Sequence, residues 1–310
     1  MPEVVLAVDV GGTKMALALV DDAGTVLAED VRPTRAEPDP LRVVGPLLDG
    51  ITDLVARLPA TDAPLRVGVA SAGPLDGPAD TVSPVNIGAW RDFPLRDHVQ
   101  RAAAEASGRR TVVGLVNDGH AFALGEHWLG AGRDVASVVG MVLSTGVGAG
   151  AVLDDRLFGG ATGNAVHLGH ISVNAWGARC VCGGHGCVEM YARGPAMVAA
   201  AQERGWTGGD DARALTADAR AGDPVALGVI DEGMRALAAG IATTATELDV
   251  TTFVLGGGVS KAGEVVFGPL RRHIADFAAL PYVRDLEVRA AVLENAGLLG
   301  AAALALRLEV

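Results

Sequence analysis

Positively charged residues are scarce in this chain. It has 25 Lys and Arg against 37 Asp and Glu, which gives a formal net charge of −12. Surfaces that bind nucleic acid or anionic membranes need clustered Lys and Arg, so the composition argues against both kinds of partner. Any phosphate group that the protein binds must therefore be held locally.

Long apolar runs are missing as well. No hydrophobic stretch is long enough to cross a bilayer without charged or turn-forming residues, and Met1-Pro2-Glu3 lacks the basic segment of a secretory signal. We therefore expect a cytoplasmic protein with no membrane partner. Half of the 310 residues are hydrophobic, enough for a large core, and the length predicts two domains.

Cysteine is limited to three clustered residues, Cys180, Cys182 and Cys187. Three cysteines leave one unpaired in any disulfide scheme, and cytosolic thiols stay reduced, so metal ligation is favoured over a disulfide framework or three unrelated buried thiols. His170 lies ten positions upstream and completes a closed set of three thiolates and one imidazole. Such a set is typical of structural zinc. His185, inside the loop, is a competing ligand.

Alternating apolar runs and turns predict an α/β protein with mixed sheets. Strands are expected at 4–8, 15–20, 25–28, 65–70, 111–116, 138–143, 151–153, 252–255 and 286–292. Helices are expected at 41–58, 95–107, 118–129, 224–248, after 262 and from 296, with a surface loop at 206–211. A glycine-bearing hairpin that is followed by a double Asp occurs twice, which suggests a duplicated domain.

Both hairpins carry turns that suit phosphate. Glycine removes the Cβ that blocks close approach, so backbone N–H groups can contact a phosphate there. A plain hairpin turn is the alternative for both, and a plain strand-to-helix connection is the alternative for a third glycine cluster, which is expected near a nucleotide's sugar and base. The residues are Asp9, Gly11, Gly12, Thr13 and Lys14 in the first turn, 144–150 with Thr145, Gly146 and Gly148 in the second, and Gly256, Gly257 and Gly258 in the third cluster.

Asn117 and Asp118 fall where a predicted strand meets a helix. A carboxylate at the end of a strand points toward the crevice where open α/β sheets bind ligands. Asp118 is therefore a candidate base that accepts a proton from a substrate hydroxyl as its oxygen attacks phosphorus. The alternative is that Asp118 only caps the following helix.

These motifs, in this order, resemble the ROK family of sugar kinases and repressors, especially its bacterial glucokinases. The resemblance covers essentially the whole chain, and the cysteine run that ends on Glu189 is its most specific part. The matching segments are Asp9 to Lys14, Asn117-Asp118 with 124–126, 145–148, Gly169-His170, Cys180 to Glu189, Gly256 to Gly258 and 296–301.

The resemblance implies an actin-like (ribonuclease H-like) duplicated fold with an active-site cleft between two domains. The smaller domain would comprise residues 1–118 and about 295–310, and the larger one residues 119–294 with the zinc loop 170–189. It also implies a homodimer that uses ATP, Mg²⁺ and structural Zn²⁺ to phosphorylate a small-molecule sugar at its primary hydroxyl.

By similarity, Asp118 would be the general base. The first two turns would face the ATP phosphates, Asp9 would hold the water shell of magnesium, and Gly256 to Gly258 would lie near adenosine. The sugar contacts would be Asn86, Asn117, Asp118, His167, His170 and Glu189. His170 would use its other ring nitrogen on zinc, so that the metal orients two sugar contacts.

The chain departs from the family pattern Gly-Glu-Xaa-Gly-His, because it has Val166-His167-Leu168-Gly169-His170. A carboxylate that only accepts hydrogen bonds is replaced by an imidazole with one donor and one acceptor. Losing a charged partner of a sugar hydroxyl costs about 1.5 to 3 kcal/mol. His120 also stands where the family commonly has Asn, and we expect it only to cap or pack.

Three explanations of His167 are open. The substrate is an amino sugar such as kanosamine, or a cyclitol, rather than glucose. Alternatively, the enzyme is a glucokinase that tolerates the change. In the third, the protein is a non-catalytic sugar sensor. Two features argue against a sensor: the ATP and base motifs are intact, and the first predicted strand leaves no room before it for the repressors' DNA-binding segment.

Overall fold

The structure is a computed structural model that describes residues 3–309. The strands are β1 (Val4–Val10), β2 (Lys14–Asp21), β3 (Val26–Pro33), β4 (Leu65–Ser71), β5 (Leu75–Asp76), β6 (Thr81–Val82), β7 (Thr111–Asn117), β8 (Val138–Leu143), β9 (Val147–Leu153), β10 (Arg156–Leu157), β11 (Thr252–Gly256) and β12 (Glu287–Ala290). The helices are α1 (Pro40–Val55), α2 (Leu95–Ser107), α3 (Asp118–Trp128), α4 (Glu189–Ala192), α5 (Gly194–Glu203), α6 (Ala212–Arg220), α7 (Pro224–Leu248), α8 (Glu264–Phe277) and α9 (Ala296–Leu306).

Two five-stranded sheets with the same plan organise the chain. The first has the order β3-β2-β1-β4-β7 and the second β10-β9-β8-β11-β12. In each, the three strands of the meander pair antiparallel and the next two pair parallel. The duplicated mixed α/β architecture predicted from the repeated hairpins is therefore confirmed.

Helices cover both faces of this pair of sheets. α1 and α2 pack against the first sheet, and the largest buried cluster joins the second sheet to α7 and α8. α9 packs on β1 and β4, α3 packs on β8 and β9, and the two helices pack on each other. The α3–α9 pair thus joins the two sheets.

Glycine allows this helix pair to approach at backbone distance. A Cβ added at Gly300 would lie 1.6 Å from the carbonyl oxygen of Ala121, and one at Gly125 would lie 2.2 Å from that of Ala296. Real Cβ atoms do not approach backbone this closely, so both positions need glycine to keep the packing.

α7 illustrates how local sequence sets an element. Asp223 caps its first turn by accepting a hydrogen bond from the Ala226 N–H, and Pro224 occupies the first helical position. The helix ends where Asp249 takes the left-handed conformation with φ of 52°. Its observed bounds are those predicted from the sequence.

Three sequence expectations need correction. The second glycine turn ends at Gly146, because β9 begins at Val147 and contains Gly148. α4, α5 and α6 were not predicted. Trp206, expected in a surface loop, is buried and donates its ring N–H to Asp218.

None of the helices within residues 3–309 is long and apolar enough to span a membrane.

Candidate active site

The first glycine turn joins β1 to β2 at the carboxyl end of β1. The Gly11 N–H donates to the Lys14 carbonyl (3.0 Å), and the Thr34 hydroxyl donates to the Gly11 carbonyl (2.7 Å). A Cβ at Gly12 would lie 2.4 Å from the side-chain nitrogen of Asn86. The turn therefore brings the predicted phosphate contacts against Asn86, a predicted sugar contact, while the side chains of Thr13 and Lys14 are exposed.

The second turn joins β8 to β9 and packs on the third glycine cluster. The Ser144 N–H donates to the Gly146 carbonyl (2.9 Å), and Thr145 is exposed at the tip. Gly257 has φ of 95°, and a Cβ there would lie 2.3 Å from the Leu143 carbonyl oxygen. Only glycine at position 257 allows this close contact with Leu143. The second turn and the third glycine cluster, both predicted to contact the nucleotide, therefore form one surface.

A cavity of about 730 Å³ opens beside this surface. It is bordered by Thr145 and Gly258, both predicted, and by residues from α5, α6 and the segment before α8 that were not predicted. These include Gln202, Asp211, Arg213 and Lys261. No glycine motif or metal-ligand spacing marks these residues in the sequence.

Asp118 begins α3 at the carboxyl end of β7. The helix cap is the buried Asn117, whose side-chain oxygen accepts a hydrogen bond from the Gly119 N–H (2.8 Å). Asp118 Oδ1 also accepts from this N–H (2.8 Å) and would lie 4.0 Å from a Cβ at Gly148. Since Asn117 caps the helix, the expected alternative role of Asp118 as a cap is not needed.

The electrostatics of the cleft centre on Asp9 and Asp118. Burial raises the pKa of Asp118, and the hydrogen bond from the Gly119 N–H partly opposes the shift. Burial and the nearby Asp118 raise the pKa of Asp9 to about 6, against the lowering effect of Lys14. Asp118 therefore lies near enough to Asp9 to raise its pKa, and carboxylate oxygens such as these are the ligands that Mg²⁺ prefers.

Glu189 links the cysteine loop to the second turn. Its Oε2 accepts a hydrogen bond from the Val147 N–H (2.9 Å) and would lie 2.9 Å from a Cβ at Gly146. Gly169 packs against the same strand, since a Cβ there would lie 2.2 Å from the Val147 carbonyl oxygen. Both ends of the segment 169–189 thus contact Val147, the first residue of β9.

The candidate metal ligands lie together. Ligand atoms of His170, Cys180, Cys182 and Cys187 are all within 4.8 Å of one another. Cys182 Sγ is 3.6 Å from Cys187 Sγ, and His170 Nδ1 is 3.8 Å from Cys180 Sγ. Sulfurs bound to a tetrahedral zinc at about 2.3 Å are separated by roughly 3.8 Å, so the set fits this metal.

His185 is not part of this cluster. Its Nδ1 lies 3.2 Å from the Gly177 carbonyl oxygen instead. Among the described residues, the ligand cluster therefore contains His170 and not His185, the competing ligand considered from the sequence. Because His170 turns Nδ1 toward the thiols, its Nε2 is left for another partner.

His167 lies at an unusual turn beside His170. Val166 has φ of 61°, a conformation that β-branched residues rarely adopt, and His167 itself has φ of −72° and ψ of 63°. The Leu168 N–H donates to the Val166 carbonyl (2.7 Å), which closes an inverse γ-turn around His167. The rings of His167 and His170 meet edge to face, with centroids 6.0 Å apart.

Burial lowers the pKa of His167, His170 lowers it further, and Glu189 opposes the shift. These surroundings favour the neutral form of the His167 imidazole. A hydrogen bond joins this turn to α3: His120 Nε2 lies 3.0 Å from the Ala165 carbonyl oxygen. His120 is therefore packed, as expected from the sequence, and it also makes one hydrogen bond that the sequence did not indicate.

Comparisons with known proteins agree with the resemblance. The model of the ROK family matches residues 5–308. A glucokinase of Thermotoga maritima is 35% identical over 98% of both chains, and an N-acetylmannosamine kinase of Citrobacter koseri is 37% identical over 97% of this chain and 98% of its own. A ROK glucokinase of Streptomyces griseus, solved with glucose and AMPPNP, is 33% identical, covers 98% of this chain and all of its own, and has a TM-score of 0.78.

Proposed function

Because this chain belongs to the ROK family and resembles that family's kinases over nearly its whole length, which makes it an ATP-dependent sugar kinase with the actin-like fold, we propose that it transfers the γ-phosphoryl group of ATP to the primary 6-hydroxyl of a hexose or hexose analogue. One observation carries the proposal. Asp118 and Glu189 meet the same strand, since Asp118 faces Gly148 of β9 and Glu189 of the cysteine loop accepts a hydrogen bond from the N–H of Val147, its first residue.

Asp118 is the proposed general base. It accepts the proton of the sugar hydroxyl while that oxygen bonds to the γ-phosphorus and the bond to the bridging β-phosphate oxygen breaks. Its raised pKa supports this role, because a base is most effective when its pKa lies near the working pH. The cap by Asn117 supports it by fixing the first turn of α3.

The ATP site is proposed along the three glycine segments. Gly11, Gly12, Thr13, Lys14 and residues 145–148 would contact the phosphates. Gly256 to Gly258 and the cavity of about 730 Å³ beside them would take the nucleoside. Asp9 would hold the waters of Mg²⁺, and its position beside Asp118 and Lys14 supports this assignment.

We propose structural zinc at His170, Cys180, Cys182 and Cys187. The ligand distances fit a tetrahedral ion, and the loop it would hold carries both Glu189 and His170. With Nδ1 on the metal, His170 Nε2 would donate to a sugar hydroxyl while Glu189 accepts from another. Asn86, which lies beside Gly12, and Asn117, which precedes Asp118, remain proposed sugar contacts.

The identity of the sugar depends on His167. We infer that an amino sugar of the kanosamine type, or a cyclitol, replaces glucose, because the imidazole of His167 offers one donor and one acceptor where the family has a carboxylate. Glucose and N-acetylmannosamine are also candidate substrates, because the relatives include a glucokinase and an N-acetylmannosamine kinase. The sensor alternative is disfavoured because Asp118 lies near enough to Asp9 to raise its pKa, and the second and third glycine segments pack on each other, as a catalytic site would need.

Two further assignments are proposals as well. We propose that residues 1–118 with about 295–310 form one domain and residues 119–294 the other; the packing of α9 on β1 and β4 and of α3 on β8 and β9 supports this division. We also propose a homodimer, which light scattering of the purified protein tests.

The deciding experiment replaces Asp118 with Asn. Turnover should fall by about 10² to 10⁴, while calorimetric titration still detects sugar and nucleotide binding. Asp62→Asn, an exposed loop residue outside the cleft, is the matched control and should leave turnover unchanged. Near-normal turnover of the Asp118 variant would remove this residue from the base role.

A substrate panel tests the sugar. kcat/KM with ATP is measured for glucose, glucosamine, 3-amino-3-deoxyglucose, N-acetylmannosamine and a C7-cyclitol. A preference for an amino sugar or the cyclitol, shifted toward glucose in His167→Glu, supports the altered substrate. If glucose clearly leads in the unmodified enzyme, the His167 substitution is a tolerated change. No turnover with any of them would contradict the kinase proposal.

A further inference from the structure

His120 occupies a place from which it can act on sugar recognition. It is the third residue of α3, two positions after Asp118, and only 1% of its surface is exposed. Gly150 lies directly beneath, since a Cβ there would lie 2.5 Å from the His120 Cα. The backbone of His120 is thus fixed between α3 and β9, and its ring extends toward the turn that carries His167.

The hydrogen bond of His120 assigns its tautomer. A carbonyl oxygen only accepts, so the Nε2 that faces the Ala165 carbonyl at 3.0 Å carries the proton. Burial lowers the pKa of His120 despite this bond, and the nearby His167 lowers it further. The ring is therefore a neutral donor, fixed in one orientation.

The turn on the other side of this bond needs an anchor. Ala165 precedes Val166, whose φ of 61° is rarely adopted, and His167 at the inverse γ-turn follows. Such conformations persist only where the surroundings fix them. Two hydrogen bonds hold Ala165: its N–H donates to the Gly159 carbonyl (3.0 Å), and its carbonyl accepts from His120.

We propose that His120 is a positioning residue for sugar specificity, which acts by holding the 165–167 turn so that His167 faces the sugar. The inference rests on the proposed function, because it assumes that His167 reads the sugar. It makes the two departures from the family pattern, His120 and His167, one coupled feature. It also joins the helix that carries the base to the turn that reads the substrate.

The test is a double-mutant cycle read as sugar discrimination. The ratio of kcat/KM between glucose and 3-amino-3-deoxyglucose is measured for the unmodified enzyme, His120→Ala, His167→Ala and the double variant. We expect His120→Ala to change the ratio on the order of threefold to tenfold, as for loss of one neutral hydrogen bond. In the His167→Ala background the same change should have no further effect.

His120→Gln is the conservative control, since its amide N–H₂ replaces the Nε2 donor, and it should keep the ratio near that of the unmodified enzyme. Additive effects in the cycle, or an unchanged ratio in His120→Ala accompanied only by a lower melting temperature, would overturn the proposal.

Hydrogen exchange separates this inference from the proposed function. Amides of residues 159–171 should exchange faster in His120→Ala and not in His120→Gln, whichever sugar is the substrate. Unchanged exchange overturns the positioning role even if the kinase is active. Absence of turnover with every sugar of the panel, together with faster exchange, would instead reject the kinase proposal and keep the anchor.

Discussion

Replacing Glu126 with Ala should weaken the junction between the two sheets. Glu126 lies in α3 and is fully buried. Its Oε2 accepts a hydrogen bond from the Ala131 N–H (2.8 Å), and its Oε1 accepts from the N–H groups of Val292 (3.2 Å) and Leu293 (3.0 Å). The last two residues lead into α9, so this one carboxylate ties the end of α3 to the start of its partner helix.

The size of the effect follows from these three bonds. Hydrogen bonds to a charged group contribute about 1.5 to 3 kcal/mol each, and they are not additive within one site. Val292 is 65% exposed, so water can replace part of the hydrogen bond that its N–H loses. We therefore expect Glu126→Ala to lower the free energy of unfolding by about 3 kcal/mol, a large part of the usual total.

Glu126→Gln should cost about half as much as Glu126→Ala. Its amide keeps one acceptor oxygen, while its N–H₂ group faces either Ala131 or the Val292–Leu293 pair.

Thermal unfolding followed by circular dichroism measures the order of stability. The unmodified enzyme should unfold at the highest temperature, Glu126→Gln below it and Glu126→Ala lowest. Glu105→Ala, on the exposed side of α2, is the matched control and should unfold with the unmodified enzyme. If Glu126→Ala unfolds at the temperature of this control, the carboxylate does not hold the junction and the reasoning is refuted.

Three other substitutions test separate parts of the structure. Asp9→Asn should raise the free energy of unfolding, because a folded-state pKa of about 6 means that ionised Asp9 disfavours the folded state. The stability that protonated Asp9 contributes is fully present below pH 3.8 and is lost as the pH rises through 6. Urea unfolding should thus show a gain of up to roughly 3 kcal/mol at pH 8 that shrinks at pH 5, together with loss of turnover, and a gain independent of pH would contradict this. Cys182→Ser should lose bound zinc in elemental analysis and raise the KM for sugar more than the KM for ATP, whereas His185→Ala should retain the metal; equal zinc content in both variants would remove Cys182 from the ligand set. Gly300→Ala should lower the urea midpoint by the equivalent of about 3 kcal/mol, because its Cβ would overlap the Ala121 carbonyl oxygen, while Gly45→Ala in open space should gain about 0.5 to 1 kcal/mol; equal midpoints would show that the α3–α9 contact can relax.

Much of the fold could be read from the sequence because local signals agreed with it. β1 and β2 are buried apolar runs separated by a glycine turn, and α7 has its cap, its first-turn proline and its apolar face in register. The helices α4 to α6 after the cysteine loop were not predicted, although α6 carries local signals of its own: Asp211 caps it by accepting from the Ala214 N–H, and Leu215 and Ala219 are buried one turn apart.

The second glycine turn was predicted too long because two of its glycines lie in a strand. Gly148 and Gly150 suggest a loop, yet they lie in β9, where they leave room for α3. A Cβ at Gly150 would lie 2.5 Å from the His120 Cα. Sequence alone does not distinguish a glycine that turns the chain from one that admits a neighbouring helix, since both need only a missing Cβ.

The candidate site shows the same limit. The four metal ligands could be found because their spacing is itself the signal, and the structure brings them together. The cavity residues Gln202, Arg213 and Lys261 come from three separate segments with no common motif. The role proposed for His120 depends on a contact with a carbonyl 45 positions away, which no local pattern encodes.

The hydrogen bond between Glu189 and the Val147 N–H has an entropic consequence. A free glutamate loses about 1.5 to 2 kcal/mol of rotamer freedom when a ligand immobilises it. Here one carboxylate oxygen is already held by the backbone, so this freedom is lost when the protein folds and not when the sugar arrives. A ligand that hydrogen-bonds to the remaining oxygen finds it already oriented. Less side-chain entropy is then lost on binding, which increases the affinity.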